Sequence, residues 1–337
     1  MNTSKLLVPL DGSHLAEEAL PYAVRLAKRL NSQILLFSVV ELGGFVQDNP
    51  AAESVAINAA EEYLQEVSEI LTDHKLESHL EAHNVQTLVV CDEPMRELPL
   101  LAAIEKAGLI IMTTHGRNGL SRLVLGSNAA TILQHSALPV LLLHPTGLED
   151  PLPLVEAIAK PIANFSADTN ASGEAVVVTL DGSPEAEMAL EPAIELARSL
   201  NSTIYLLKVV TPVVPINYSG FAISYYGENL EEELATLRKA ADGYLNKMQA
   251  RVLEKGLDCI KTVCEGDPAI EIVAYASKVP ASILVMATHA RGRVGDILLG
   301  SVAEKVMRQT HLPVMMVNTR LYAKVSDPLT PQVVANV

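Results

Sequence analysis

Residues 8–40 read VPLDGSHLAEEALPYAVRLAKRLNSQILLFSVV, and residues 178–210 read VTLDGSPEAEMALEPAIELARSLNSTIYLLKVV. Aligned without a gap, the two agree at 19 of 33 positions, so the chain carries one unit twice. The offset is 170 from Asp11 to Asp181, and 174 from Gly126 to Gly300 and from Pro139 to Pro313. Repeat two is therefore expected to hold a net insertion of four residues, most simply in the loop after its second strand.

Each copy of the stretch has the same order: a short apolar run, Asp-Gly-Ser, a helical pattern and a Val/Ile/Leu run. In the first copy the helical pattern covers residues 14–30, with Leu15, Ala19, Ala23, Leu26 and Leu30 on one face. The alternation continues outward through strands KLLVPL, QILLFSVV, VQTLVVC, LIIMT and PVLLLH, with helices expected at 53–73, 95–106 and 127–136. Repeat two gives strands near 175–180, 203–210, 259–264, 282–287 and 313–317. Strands apolar along their whole length are buried on both faces, as in a parallel sheet covered by helices. The fold expected is α/β: two repeats of an open, doubly wound five-stranded parallel sheet.

This division gives domains at 1–146 and 174–320, a linker at 147–173 with a short helix near 153–160, and an unpatterned surface tail at 321–337. A chain of 337 residues with 49% hydrophobic residues has the material for two such cores. A net charge of −15 disfavours nucleic acid and anionic membrane surfaces as partners, while leaving room for a small anion held by backbone N–H groups. Cys91, Cys259 and Cys264 lack metal-ligand or disulfide spacing, and no apolar run reaches a membrane span. A cytoplasmic location is expected.

Ligands of open parallel sheets sit beyond the carboxyl ends of the strands, where neighbouring connections diverge. Two loops stand there in each repeat. One is Asp11-Gly12-Ser13, or Asp181-Gly182-Ser183; as single features, these aspartates read as turn residues. The other is TTHGRNGLSRLVLGS at 113–127, or ATHARGRVGDILLGS at 287–301. It ends in Gly-Ser at a helix start, where unpaired N–H groups and the helix dipole favour phosphate. Gly126 and Gly300 let a backbone approach an anion, the Ser127 and Ser301 hydroxyls are donors, and Arg117, Arg122, Arg291 and Arg293 are nearby in sequence. Read singly, each serine is more simply a plain helix cap with its glycine as a turn residue, and it is the recurrence of the whole loop in both repeats that weighs against this. His115 and His289 lack a partner Asp or nucleophile at readable spacing, and no hydrolytic, P-loop or dinucleotide motif is present.

As a set, the strand ending in Asp-Gly-Ser, the Thr-His loop, the Gly-Ser helix start and the Leu-Pro-Val strands (Leu138-Pro139-Val140 and Leu312-Pro313-Val314) resemble the universal stress protein family, in its tandem nucleotide-binding branch. The resemblance covers both repeats. It implies a strand order 3-2-1-4-5, an internal pseudo-dimer through the last strands, and a bound adenine nucleotide such as ATP, with magnesium as the candidate metal. It places the nucleotide against Pro9, Asp11, Val39, Met112, Thr113, Gly116, Gly126, Ser127 and Asn128 in repeat one. In repeat two the positions are Asp181, Val209, Met286, Ala287, Ala290, Gly300, Ser301 and Val302. Asp11 and Asp181 would lie near adenine or ribose, and Val39 and Val209 would hold the base through their backbone.

The two copies depart from the family pattern differently. Thr113, Ala287 and Ala290 stand where the pattern has glycine. The loop after strand three is Gly266-Asp267-Pro268 in repeat two but Asp92-Glu93-Pro94 in repeat one, which sets two carboxylates where a phosphate would lie. Both sites are expected to accept nucleotide with unequal affinity. The function implied is a nucleotide-binding stress-response sensor or regulator with a protein partner yet to be identified. A weak ATPase, and a scaffold binding no nucleotide or another small molecule, are the alternatives, and a further homodimer stays open. The aromatic group Tyr218, Phe221, Tyr225 and Tyr226 marks a candidate lid or contact surface.

Overall fold

The computed structural model describes residues 4–40, 50–75, 80–91, 107–114, 125–145, 152–160, 175–211, 222–288 and 299–326. The strands of repeat one are β1 (Lys5–Leu10), β2 (Gln33–Val40), β3 (Val85–Cys91), β4 (Leu109–Thr113) and β5 (Val140–Leu143). Those of repeat two are β6 (Ala175–Thr179), β7 (Thr203–Val210), β8 (Cys259–Glu265), β9 (Ala281–Thr288) and β10 (Val314–Asn318). They form one ten-stranded sheet in the order β3-β2-β1-β4-β5-β10-β9-β6-β7-β8. Each half has the expected 3-2-1-4-5 order, with parallel pairing throughout.

The halves meet where β5 and β10 pair antiparallel, with Met315 opposite Leu141. This is the internal pseudo-dimer. Asn318, 3% exposed at the end of β10, reinforces it across the seam. Its Nδ2 donates to the carbonyls of Leu133 (2.8 Å) and Gln134 (3.3 Å), in the last turn of the repeat-one helix Ser127–His135. Those carbonyls belong to a helix end, where intrahelical partners run out. Two arginines of helix Leu20–Leu30 act similarly. Arg25, 5% exposed, donates to the Lys160 carbonyl that closes linker helix Leu154–Ala159, and Arg29 donates to the Leu200 carbonyl that closes helix Leu190–Ser199. Each guanidinium sits at the negative end of a helix dipole.

Two apolar cores lie on the two faces of the sheet, and both run through both repeats. One joins Leu6, Val8, Leu36 and Ile111 to Val176, Val178, Val285 and Val317, with Ile158 of the linker helix among them. The other joins Leu7, Ile110 and Met112 to Val177, Met286 and Met316. Alternate strand residues feed opposite cores, which is why the strand sequences are apolar without a break.

Three local expectations are corrected. The helix expected over 14–30 is two: His14–Glu17 and Leu20–Leu30, the second with Pro21 in its first turn. Proline lacks the N–H that a continuous helix needs, so the first turn of a new helix is where it fits. The insertion in repeat two also divides. The core positions Leu64, Val67 and Leu71 of helix Pro50–Thr72 match Leu245, Met248 and Val252 of helix Ala222–Glu254. From the end of β2 to Leu64 is 24 residues, against 35 from the end of β7 to Leu245; from Leu71 to β3 is 14, against 7 from Val252 to β8. The gain therefore lengthens the helix, and a shorter return offsets part of it. Finally, residues 319–326, most of which were read as unpatterned tail, form a helix whose Tyr322 packs on the first core.

The expected helix at 95–106 lies outside the described residues. The short helix near 153–160 is present as Leu154–Ala159. No described helix is long and apolar enough to cross a membrane.

Replacing Asn318 by alanine removes the donor to two carbonyls, one buried and one part-buried. The expected loss is about 1–3 kcal/mol, read as a lower midpoint in denaturant unfolding.

Candidate functional site

From β1 the chain goes out to β2 and β3 on one side and returns to β4 on the other, so β1 and β4 flank the point where connections diverge. In repeat two the same point lies between β6 and β9. The described candidate residues lie at the strand ends and helix starts around these two points.

The Asp-Gly-Ser turns are nearly superimposable in their bonding. Asp11 Oδ1 accepts from Ser13 N (3.0 Å) and Ser13 Oγ (2.5 Å), and Ser13 Oγ accepts from Ala16 N at 3.2 Å. In repeat two Asp181 Oδ1 accepts from Ser183 N (2.8 Å) and Oγ (2.6 Å), and Ser183 Oγ accepts from Ala186 N at 3.1 Å. The aspartate braces a serine that caps the following helix. Gly12 and Gly182, at φ +76° and +93°, let the chain turn where a β-carbon would strain it. The aspartate's structural duty, the plainer of its two sequence readings, is thus real in both copies.

The second loop begins at Thr113 and Thr114, 4% and 3% exposed, and at half-buried Ala287 and buried Thr288. Its two ends are tied differently. In repeat one, Gly126 N donates to the Thr114 carbonyl at 2.8 Å. In repeat two, Thr288 Oγ1 donates to the Leu299 carbonyl at 3.1 Å, and Thr319 Oγ1 of the C-terminal helix donates to the Thr288 carbonyl at 3.3 Å.

The helices that follow, Ser127–His135 and Ser301–Gln309, have glycine as N-cap and serine as first helical residue. The sequence reading of the serines as caps is corrected here. Neither N-terminus has a side-chain cap, and both serines are exposed. Gly126 sits at φ −61°, where any residue fits, but Gly300 sits at φ +90°. Asn128 and Val302, next along each helix, are half-buried.

Beside these strand ends lies an apolar wall. Met112 and Met286 are 7% and 4% exposed in the second core, and half-buried Val39, Val209 and Val302 pack against it. Pro9 is buried within β1, one residue before its end. At the outer side of repeat two, Asp267 Oδ1 caps helix Pro268–Lys278 through Ala269 N (2.9 Å) and Ile270 N (3.2 Å). Its Oδ2 pairs with Lys305 at 3.5 Å on the neighbouring helix. These backbone bonds, with Lys305, hold its carboxyl below the usual range. Thr211 Oγ1 donates to the Gly266 carbonyl at 2.9 Å and ties the same loop to the end of β7.

Gly116, Ala290, His115, His289, the four loop arginines and Asp92-Glu93-Pro94 lie outside the described residues, as do Tyr218 and Phe221. Tyr225 and Tyr226 fall in the first turns of helix Ala222–Glu254. Among the described residues, no group of three or more His, Cys, Asp or Glu is gathered to hold a metal ion. Sequence reading passed over Lys208, whose Nζ donates to the Asp181 carbonyl. Its signal was the mismatch of Lys208 with Ser38 in otherwise similar strands.

Two outcomes follow from the backbone and the cap. Gly300→Ala is expected to lose roughly 1 kcal/mol of stability, and Gly126→Ala much less, in parallel denaturant titrations. A carboxylate with a depressed folded pKa stabilises above its ordinary pKa, and that contribution is lost as pH falls through the depressed value. The stability gap between wild type and Asp267→Asn should therefore shrink on acidification through that range.

The model of the universal stress protein family matches residues 2–144 and again residues 174–318. A universal stress protein of Methanocaldococcus jannaschii is 33% identical over 144 residues, covering 42% of this chain and 80% of its own length. One from Mycolicibacterium smegmatis is 24% identical over 327 residues, covering 94% of this chain and 97% of its own. Among solved structures, a universal stress protein from Archaeoglobus fulgidus superimposes with a TM-score of 0.61 at 20% identity, over 94% of this chain and 97% of that one. With the same domain matched twice in one continuous sheet, the chain belongs to the universal stress protein family as a tandem of two domains.

Proposed function

We propose that each repeat binds an adenine nucleotide, ATP in the first instance, at its β1/β4 or β6/β9 switch point, and that the protein acts as a cytoplasmic stress-response sensor or regulator. The observation that carries this reading is the pair of helix starts at Gly126-Ser127 and Gly300-Ser301. Both point of entry and chemistry suit phosphate: a glycine N-cap, no side-chain cap, and an exposed hydroxyl on the first helical residue. The half-buried Val39 and Val209, over the Met112 and Met286 wall, offer an apolar bed for a purine beside those phosphate donors. Asp11 and Asp181, held by their turns, would meet the sugar or base edge. Thr113 and Ala287 begin the loop that would enclose the phosphates, with Gly116 and Ala290 further along it. Magnesium would enter on the phosphates.

In this reading the protein's own work is to bind and enclose. The helix N–H groups take negative charge, and the wall excludes water from the base. The seam couples the two halves, so occupancy of one site has a route to the other through helix Ser127–His135 and Asn318.

The test is to denature the purified protein and identify what is released. Stoichiometric adenine nucleotide, or a thermal shift with millimolar ATP, supports binding, and neither result in a folded protein would sink the reading. Ser127→Glu with Ser301→Glu sets a carboxylate at each phosphate position and should weaken ATP by at least about tenfold, since like charge repels there. Steady phosphate release abolished by Asp11→Ala or Asp181→Ala would instead make the protein an ATPase.

A further inference from the structure

The apolar wall of repeat two and two helix starts lie on one face of the sheet. Val209, Met286 and Val302 belong to the second core or pack against it. Helices Pro268–Lys278 and Ser301–Gln309 feed Ala269, Ile272, Ala303 and Val306 into that same core. Each helix starts on the carboxyl side of the sheet, one directly after β8 and the other after the loop that follows β9. The ion pair of Lys305 with Asp267, at 3.5 Å, joins them. Asp267 is the N-cap of the first helix, so the ammonium stands at that helix start, while its own helix begins four residues earlier at Ser301. Residues four apart share a helix face, about 6 Å apart along the axis, and their side chains lean toward the N-terminus. The Lys305 stem thus reaches Asp267 in one rotamer and the uncapped start at Gly300-Ser301 in another.

The two partners differ in freedom. Asp267 Oδ1 is fixed by Ala269 N and Ile270 N, and its loop is tied down by the Thr211 bond to the Gly266 carbonyl. The Lys305 side chain is 57% exposed and meets Asp267 at the long end of ion-pair range. The acidic side chains nearby are placed elsewhere. Glu304 pairs with Arg308, and Glu271 Oε1 lies against Gly266, 3.1 Å from where a β-carbon would stand. Bonds from Ile270 N and Ala269 N already hold the Asp267 charge, which keeps its carboxyl below the usual range, so losing the lysine costs it little. A phosphate at the neighbouring helix start carries more charge than one carboxylate and is the stronger partner.

We propose that Lys305 is a phosphate-binding residue of the repeat-two site, held in reserve by Asp267 and released to the ligand when a nucleotide occupies the Ser301 helix start. Asp267 is then the ligand's competitor. The pair selects by phosphate charge, favouring ATP over AMP and AMP over adenosine. Repeat one has Thr131 at the matching position, so this lysine serves repeat two alone. The proposal rests on the nucleotide binding put forward above.

The test is calorimetric titration of the full chain with ATP, AMP and adenosine, carrying Ser127→Glu to silence repeat one. Lys305→Met should weaken ATP about tenfold, AMP less and adenosine hardly at all. Asp267→Asn keeps a capping oxygen and frees the lysine, so ATP should bind about threefold tighter. With Lys305→Met also present, most of that gain should disappear. No loss on Lys305→Met, or an equal loss for ATP and adenosine, makes the ion pair purely structural and overturns the proposal while leaving nucleotide binding intact. A gain from Asp267→Asn that is the same with and without Lys305 overturns the competition. Wild type that binds none of the three ligands overturns both readings.

Discussion

Everything in this molecule depends on the antiparallel pairing of β5 with β10. A five-stranded parallel sheet of order 3-2-1-4-5 leaves its last strand as an open edge, with unpaired N–H and C=O groups and apolar residues on both faces. Here β5 and β10 are buried at every position, which a strand lacking a neighbour on one side would not reach. By closing on each other they turn two sheets into one and let each core run through both repeats. The helix ends beside the seam then find partners across it, through Asn318 and Arg29.

The same pairing explains why the two candidate sites stand apart. Each switch point lies between strands one and four of its own repeat, so neither borrows a strand from the other half. What the halves share is the wall behind the crevices. Met112 and Met286 belong to one continuous core, and helix Ser127–His135 carries a candidate phosphate position at its start and the Asn318 contact at its end. A nine-residue helix is a short and stiff link between a ligand position and a domain seam.

Much of this was legible in the sequence, and the reasons are physical. Doubly buried strands announce themselves as unbroken Val/Ile/Leu runs, and duplication doubles every signal, so the α/β class and the two repeats could be read from the residues, while the strand order and the pairing of the halves came with the family resemblance. The break between Glu17 and Leu20 was hidden because the apolar positions keep helical phase across it. The helix Thr319–Ser326 was hidden because a polar segment shows its pattern only once Thr319 has docked on Thr288 and Tyr322 on the core. At the sites, residue identity located the loops but not their conformations. Gly126 and Gly300 are the same letter in the same place, yet only one needs glycine's freedom. Lys208 was overlooked because its partner is the Asp181 carbonyl, and a turn and a strand end become neighbours only in the folded sheet.

Asn318 has a wider meaning. Its counterpart in repeat one, at the matching offset of 174, is His144. In a two-fold assembly of identical subunits every seam contact occurs twice, so a change there is made twice or not at all. A duplicated gene removes that rule. One half can keep an amide latch while the other tries a different side chain, and a seam that began symmetric can drift toward two faces that fit only each other. Such a pair would be committed to its own chain as partner, and less prone to exchange halves with related proteins in the same cell.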